Sequence, residues 1–175
     1  MNPTLTIIAL TIGLGINAQV EKLNDLSDAL FEGTSLYVGH TPTTTNNAIS
    51  NVAIGKTALS LITTGDFNTA IGHNTLFSNT TGEKNTAAGY QSLNDNTSGY
   101  SNTALGYRAL SSNTSGFSNT ASGYQALSFN KYMEDNNGVI SMGKWNTAYG
   151  TNSLLFNKSG VFNTAYGTNS SYSTK

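Results

Sequence analysis

The stretch Gly99–Leu127, GYSNTALGYRALSSNTSGFSNTASGYQAL, says nearly the same phrase twice, with NTALGYRAL at Asn102 and NTASGYQAL at Asn119, 17 residues apart. The phrase recurs in both directions. Upstream it reads NTAAGYQSL at Asn85, NTAIGHNTL at Asn68 and NVAIGKTAL at Asn51; downstream it reads NTAYGTNSL at Asn146 and NTAYGTNSS at Asn163. The steps between successive copies are 17, 17, 17, 17, 27 and 17 residues. A second glycine marks the other half of each unit, at Gly65, Gly82, Gly99, Gly116, Gly143 and Gly160, and Ser or Thr precedes five of these six. SLYVGH, residues 35–40, reads as a degenerate first unit.

So short a period excludes most repeat architectures. Helical repeats need about 33 residues or more, and propeller blades about 40. A 17-residue unit with two glycine corners fits one coil of a β-roll or β-solenoid, in which two short strands joined by two turns are expected. Side chains alternate along a strand, so Asn68, Ala70 and Gly72 share one face while Thr69, Ile71 and His73 share the other. The first set barely changes between units. Ala70, Ala87, Ala104, Ala121, Ala148 and Ala165 are therefore expected to line a narrow interior. Leu76, Leu93, Leu110, Leu127 and Leu154, with Leu59 ahead of them, are expected to fill the rest. Turns such as NTTG and NTSG suit hydroxyl and amide bonding to nearby backbone, with the glycine free to adopt φ > 0. Asn and Thr stacked in register are expected to bond along the axis, and each coil is stabilised by its neighbours.

The chain of 175 residues is large enough for one domain. Its formal charge is −1 and only 10% of residues are charged, so no basic surface for nucleic acid is expected. Cysteine is absent, which excludes disulfides and thiolate metal sites. The 9 Tyr and 7 Phe argue against a disordered chain. Leu5 to Ile16 is an apolar run too short to span a bilayer, followed by Ile16 and Ala18 at the −3 and −1 positions of a cleavage site. Residues 1–18 are thus expected to be a signal peptide, residues 19–34 a lead-in, and residues 35–175 the repeats. Nothing after the signal reads as a membrane anchor.

Enzyme motifs are missing from the pattern. His40 and His73 fall in different units without a carboxylate at strand or helix spacing. No acidic pair recurs with the period, as an acid/base pair for glycoside cleavage would. The glycine-rich phrases lack the Lys-Ser/Thr ending of a phosphate loop. Asp is too sporadic for repeated calcium sites. No enzymatic activity, cofactor or metal is expected. Five Asn-x-Ser/Thr sequons, at Asn79, Asn96, Asn113, Asn157 and Asn169, are read as by-products of turn chemistry. The 27-residue step locates ten extra residues at about 131–140, KYMEDNNGVI. Tyr132, Met133, Glu134 and Asp135 concentrate charge and bulk there, making this loop the candidate recognition element, and Trp145 is placed to pack its base.

The phrases NVAIG, NTAIG and NTALGYRAL resemble the head-domain repeats of YadA-like trimeric autotransporter adhesins. Similar arrays occur in bacterial cell-surface proteins and in some phage-tail-like fibres. The resemblance covers about residues 35–175. It implies an all-β, left-handed parallel β-roll or β-solenoid with 17-residue coils, assembled as a homotrimer that buries residues such as Leu105, Tyr107, Tyr149 and Tyr166. It further implies an adhesin-like module secreted or held at the outer membrane surface of a bacterium, with a host, matrix or cell-surface glycan or protein as partner. The coils here are longer than the family's usual ones. An ice-binding solenoid, resting on Thr69, Thr86, Thr103, Thr120, Thr147 and Thr164, and a structural segment of a phage-tail-like fibre are the alternatives.

Overall fold

The computed structural model describes residues 29–32, 34–39, 42, 47–130, 133–134, 140–141, 143–158, 160–171 and 173–174. The expected signal peptide and most of the lead-in lie outside them, as do His40, Tyr132 and Asp135. The strands are β1 (Ala29–Glu32), β2 (Ser35–Val38), β3 (Val52–Ile54), β4 (Thr69–Ile71), β5 (Thr86–Ala88), β6 (Thr103–Leu105) and β7 (Thr120–Ser122). They continue with β8 (Met133–Glu134), β9 (Ile140–Ser141), β10 (Thr147–Tyr149), β11 (Phe156–Asn157), β12 (Thr164–Tyr166) and β13 (Ser173–Thr174). No helix occurs among the described residues.

One sheet of nine strands runs in the order β1-β2-β3-β4-β5-β6-β7-β10-β12. From β2 onward every pairing is parallel, so about seven turns of a β-solenoid separate β2 from β12. The register stacks Ala53, Ala70, Ala87, Ala104, Ala121, Ala148 and Ala165 in one file. Tyr37 occupies the same file in β2, and Leu36 pairs with Val52. At that edge β1 closes the sheet as an antiparallel strand, with Ala29 opposite Val38.

The coils from β3 to β7 each contain one three-residue strand rather than the expected two. The strand is Thr-Ala-x, or Val-Ala-Ile in β3, with Ala inside and its neighbours outside, and it stops at a glycine with φ between 108° and 137° in the seven coils from β3 to β12. That region disfavours any residue with a Cβ. A Cβ on Gly106 would also lie 2.5 Å from the carbonyl oxygen of Gly123 in the next coil. In the second half of the coil a left-handed leucine breaks the extended backbone: φ is 50° at Leu76, 50° at Leu93 and 51° at Leu110. The residue two before each leucine shares that conformation, at 55° in Asn74 and 53° in Gln91. A side chain in this region costs about 1–2 kcal/mol, and burying a leucine contributes about as much. Leu59, Leu76, Leu93, Leu110 and Leu127 are fully buried, Leu154 nearly so. The turn half is still bonded coil to coil, as in Leu76 N–H to Ser92 O at 3.0 Å and Ser78 N–H to Asn94 O at 3.0 Å. Among the described residues a second pair of parallel strands forms where β11 meets β13, beyond Leu154.

The ten extra residues leave the coil between Asn130 and Gly143 and carry a hairpin, β8 against β9, with Met133 opposite Ser141 and Glu134 opposite Ile140. The stack resumes undisturbed: β10 pairs in register with β7.

Candidate interaction surface

The outer surface is held in place by what lies under it. Asn102 is fully buried. Its Nδ2 donates to Asn85 Oδ1 at 3.1 Å and to Gly116 O at 2.8 Å. Its Oδ1 accepts from the backbone N–H of Asn119 at 3.0 Å and from Asn119 Nδ2 at 3.1 Å. Both donors and both lone pairs of the amide are used. The same pattern links Asn51, Asn68, Asn85, Asn102, Asn119, Asn146 and Asn163 in one file. In the first unit Ser35 Oγ takes the amide's place and accepts from Asn51 N–H at 3.0 Å.

A second buried file begins at Asn79 and continues through Asn96, Asn113, Asn130 and Asn157, each Nδ2 donating to the Oδ1 behind it. The two files meet on one carbonyl per coil: Gly99 O accepts from Asn85 Nδ2 at 2.8 Å and Asn96 Nδ2 at 3.0 Å. This corrects the expected role of the second glycine. Gly65, Gly82, Gly99, Gly116, Gly143 and Gly160 are not among the residues with positive φ; these positions need glycine for space. A Cβ on Gly99 would stand 2.2 Å from Asn96 Oδ1 and 2.4 Å from Gly116 O. The sequons at Asn79, Asn96, Asn113 and Asn157 are likewise core positions, enclosed and bonded, where a glycan has no room. Only the sequon at Asn169 has an exposed asparagine among the described residues. The recurrence of an Asn three residues before Gly82, Gly99, Gly116 and Gly160 was the available signal for this second file. Among the described residues, Ser60 Oγ, Arg108 Nε and Asn152 Oδ1 are enclosed without a hydrogen-bond partner.

Outside, the same register stacks unlike side chains. Thr69, Thr86, Thr103, Thr120, Thr147 and Thr164 form one outward column. Beside it run Ile54, Ile71, Ala88, Leu105, Ser122, Tyr149 and Tyr166, and all of its large apolar members are exposed. Around the glycine corner, His73, Tyr90, Tyr107 and Tyr124 stack nearly parallel, with centroids 5.5, 5.3 and 5.0 Å apart. Tyr149 stacks on Tyr166 at 5.2 Å and Phe129 on Phe156 at 5.0 Å. On the corner ahead of the strand, Tyr100 stacks on Phe117 at 4.7 Å. Trp145 meets Phe117 edge-on at 5.2 Å and stacks on Phe162 at 4.6 Å, with Lys144 Nζ 4.7 Å from its ring centroid. Trp145 is thus a member of a ring ladder in the coil that resumes after the hairpin.

The surface offers stacking and neutral hydrogen bonds far more than charge. Lys84 and Glu83 form one exposed ion pair at 3.2 Å, worth little at the surface. Among the described residues no group of three His, Asp or Glu side chains could hold a metal ion, and no helix is long and apolar enough to cross a membrane. Of the candidate recognition loop, Met133 and Glu134 stand on β8 of the hairpin. No family model, curated protein or solved structure matches the chain.

Proposed function

We propose that the chain is a non-enzymatic display module, an adhesin-like head that works through repeated outward columns, in keeping with its resemblance to YadA-like heads. In this reading it is exported to the surface of a bacterium and three left-handed solenoids pack side by side. One observation carries it: Ile54, Ile71, Leu105, Tyr149 and Tyr166 stand exposed in a single file along the sheet. A file of apolar side chains at one strand spacing is suited to a long contact with another sheet or an extended partner. Repetition then multiplies weak contacts to a glycan or protein of a host, matrix or neighbouring cell. Light scattering on residues 19–175 tests assembly and should return three times the protomer mass; beads coated with the protein should adhere to cells or matrix. A monomer whose beads do not adhere ends the proposal.

The outward threonine column supports a second reading, ice binding. Thermal hysteresis in the purified protein would favour it over adhesion. The adjacent column changes from Ile to Ala to Ser to Tyr, which interrupts a regular lattice of hydroxyls and methyls. A structural segment of a fibre uses the same columns for lateral packing alone and would give the trimer mass without bead adhesion.

A further inference from the structure

The ring ladder ends abruptly, and its end is a step. In the column that reads Lys56, His73, Tyr90, Tyr107, Tyr124, Thr151 and Thr168, three tyrosines stack in succession and then threonine takes over. The register there is secure: Asn152 N–H donates to Tyr124 O at 2.8 Å and Gly150 N–H to Ser122 O at 2.8 Å, so Thr151 follows Tyr124 in the next coil. Tyr90 and Tyr107 have rings on both faces. Tyr124 has Tyr107 on one face, and on the other the small side chain of Thr151; it is the most exposed of the three, at 49%.

We infer that this step is a sugar-binding subsite, in which a neutral pyranose stacks on the free face of Tyr124 above Thr151. The face of an aromatic ring is its negative side, and it attracts the weakly positive C–H face of a pyranose. The ladder spacing of 5.0–5.5 Å shows the room that one stacked ring takes in this column. The two coils beyond Tyr124 supply a floor instead of an open end, with exposed Thr151, Thr168 and Asn169 to meet sugar hydroxyls. Thr151, Thr168, Gln125, Asn152 and Asn169 are all uncharged, which favours a neutral sugar over an anionic one. Binding sites of this kind combine one apolar platform with a few polar groups. The inference rests on the proposed function in taking the outward ladders as the contact surface, and it names the ligand class.

Saturation-transfer NMR with cellotriose and with chitotriose, on residues 19–175, tests it. Transfer to the ring C–H protons of at least one trisaccharide is expected. Tyr124→Ala should weaken that binding about tenfold. Thr151→Tyr extends the ladder, so it folds, fills the step and should weaken binding at least as much, whereas Thr151→Ser keeps the step open and should retain it. No transfer to either sugar, or undiminished binding by Thr151→Tyr, overturns the assignment. If the native chain binds neither sugar and Thr151→Tyr only reduces its self-association, the step holds a side chain from a second copy and the inference fails. Trimer mass and bead adhesion without sugar binding would sink this site alone; sugar binding by a non-adherent monomer would sink the proposed function alone.

Discussion

The asparagine file that begins at Asn51 and the outward file that begins at Ile54 are three residues apart in sequence and are repeated by the same coil. One holds Asn at all seven positions; the other reads Ile, Ile, Ala, Leu, Ser, Tyr, Tyr. The difference is one of available alternatives. Inside, from Asn68 to Asn146, both amide donors and both acceptor sites are spent on neighbours above and below, and an enclosed polar group that loses its partner costs about 1–3 kcal/mol. Outside, a side chain must only tolerate its stacked neighbours and water. The molecule therefore separates a uniform polar interior, which sets the pitch, from a variable exterior, which is free to carry recognition.

The sharpest way to break that comparison is to crowd the interior. Gly99→Ala puts a methyl group against Asn96 Oδ1 and Gly116 O. It should cost about 4 kcal/mol or prevent accumulation of folded protein, as urea denaturation would show. Asn102→Ala removes the acceptor of the Asn119 N–H and Nδ2 and one of the two donors to Gly116 O. A loss of about 3 kcal/mol is expected, with amide exchange quickening in the coils on either side. An outward change of similar size should do less: Tyr107→Ala gives up two ring contacts and should cost about 1 kcal/mol. If it costs as much as Asn102→Ala, the exterior is not the permissive half. The smallest effect should come from deleting residues 131–140. This restores the 17-residue step and brings Ser141 and Met142 between Asn130 and Gly143, the spacing seen from Asn113 to Gly116. Stability should stay within about 0.5 kcal/mol, since a surface loop contributes mainly closure entropy; a large loss in thermal melting would mean that the hairpin props the coil.

The period, the inward alanines and the place of the interruption were legible because they depend on counting and on strand alternation. Asn68, Ala70 and Gly72 had to share a side. The turn half was less legible. Leucine is a poor indicator of left-handed backbone, and nothing local to YQAL or YRAL announces that Leu127 and Leu110 adopt φ near 51°; the conformation is stable only because the stack buries them. The asparagines of NTTG and NTSG looked like turn residues at the surface, since Asn-x-Ser/Thr-Gly is ordinary turn chemistry. Only the stack turns those side chains inward onto one another.

By itself, then, the order of residues determined a 17-residue coil, its direction of repeat and which alternating positions face in, because periodicity and strand parity are properties of a single chain segment. The tertiary structure decided which polar side chains became core and where the ring ladder stops. Those outcomes require a neighbour one coil away: an amide is satisfied, and a ring face covered, only by what the next turn places above it.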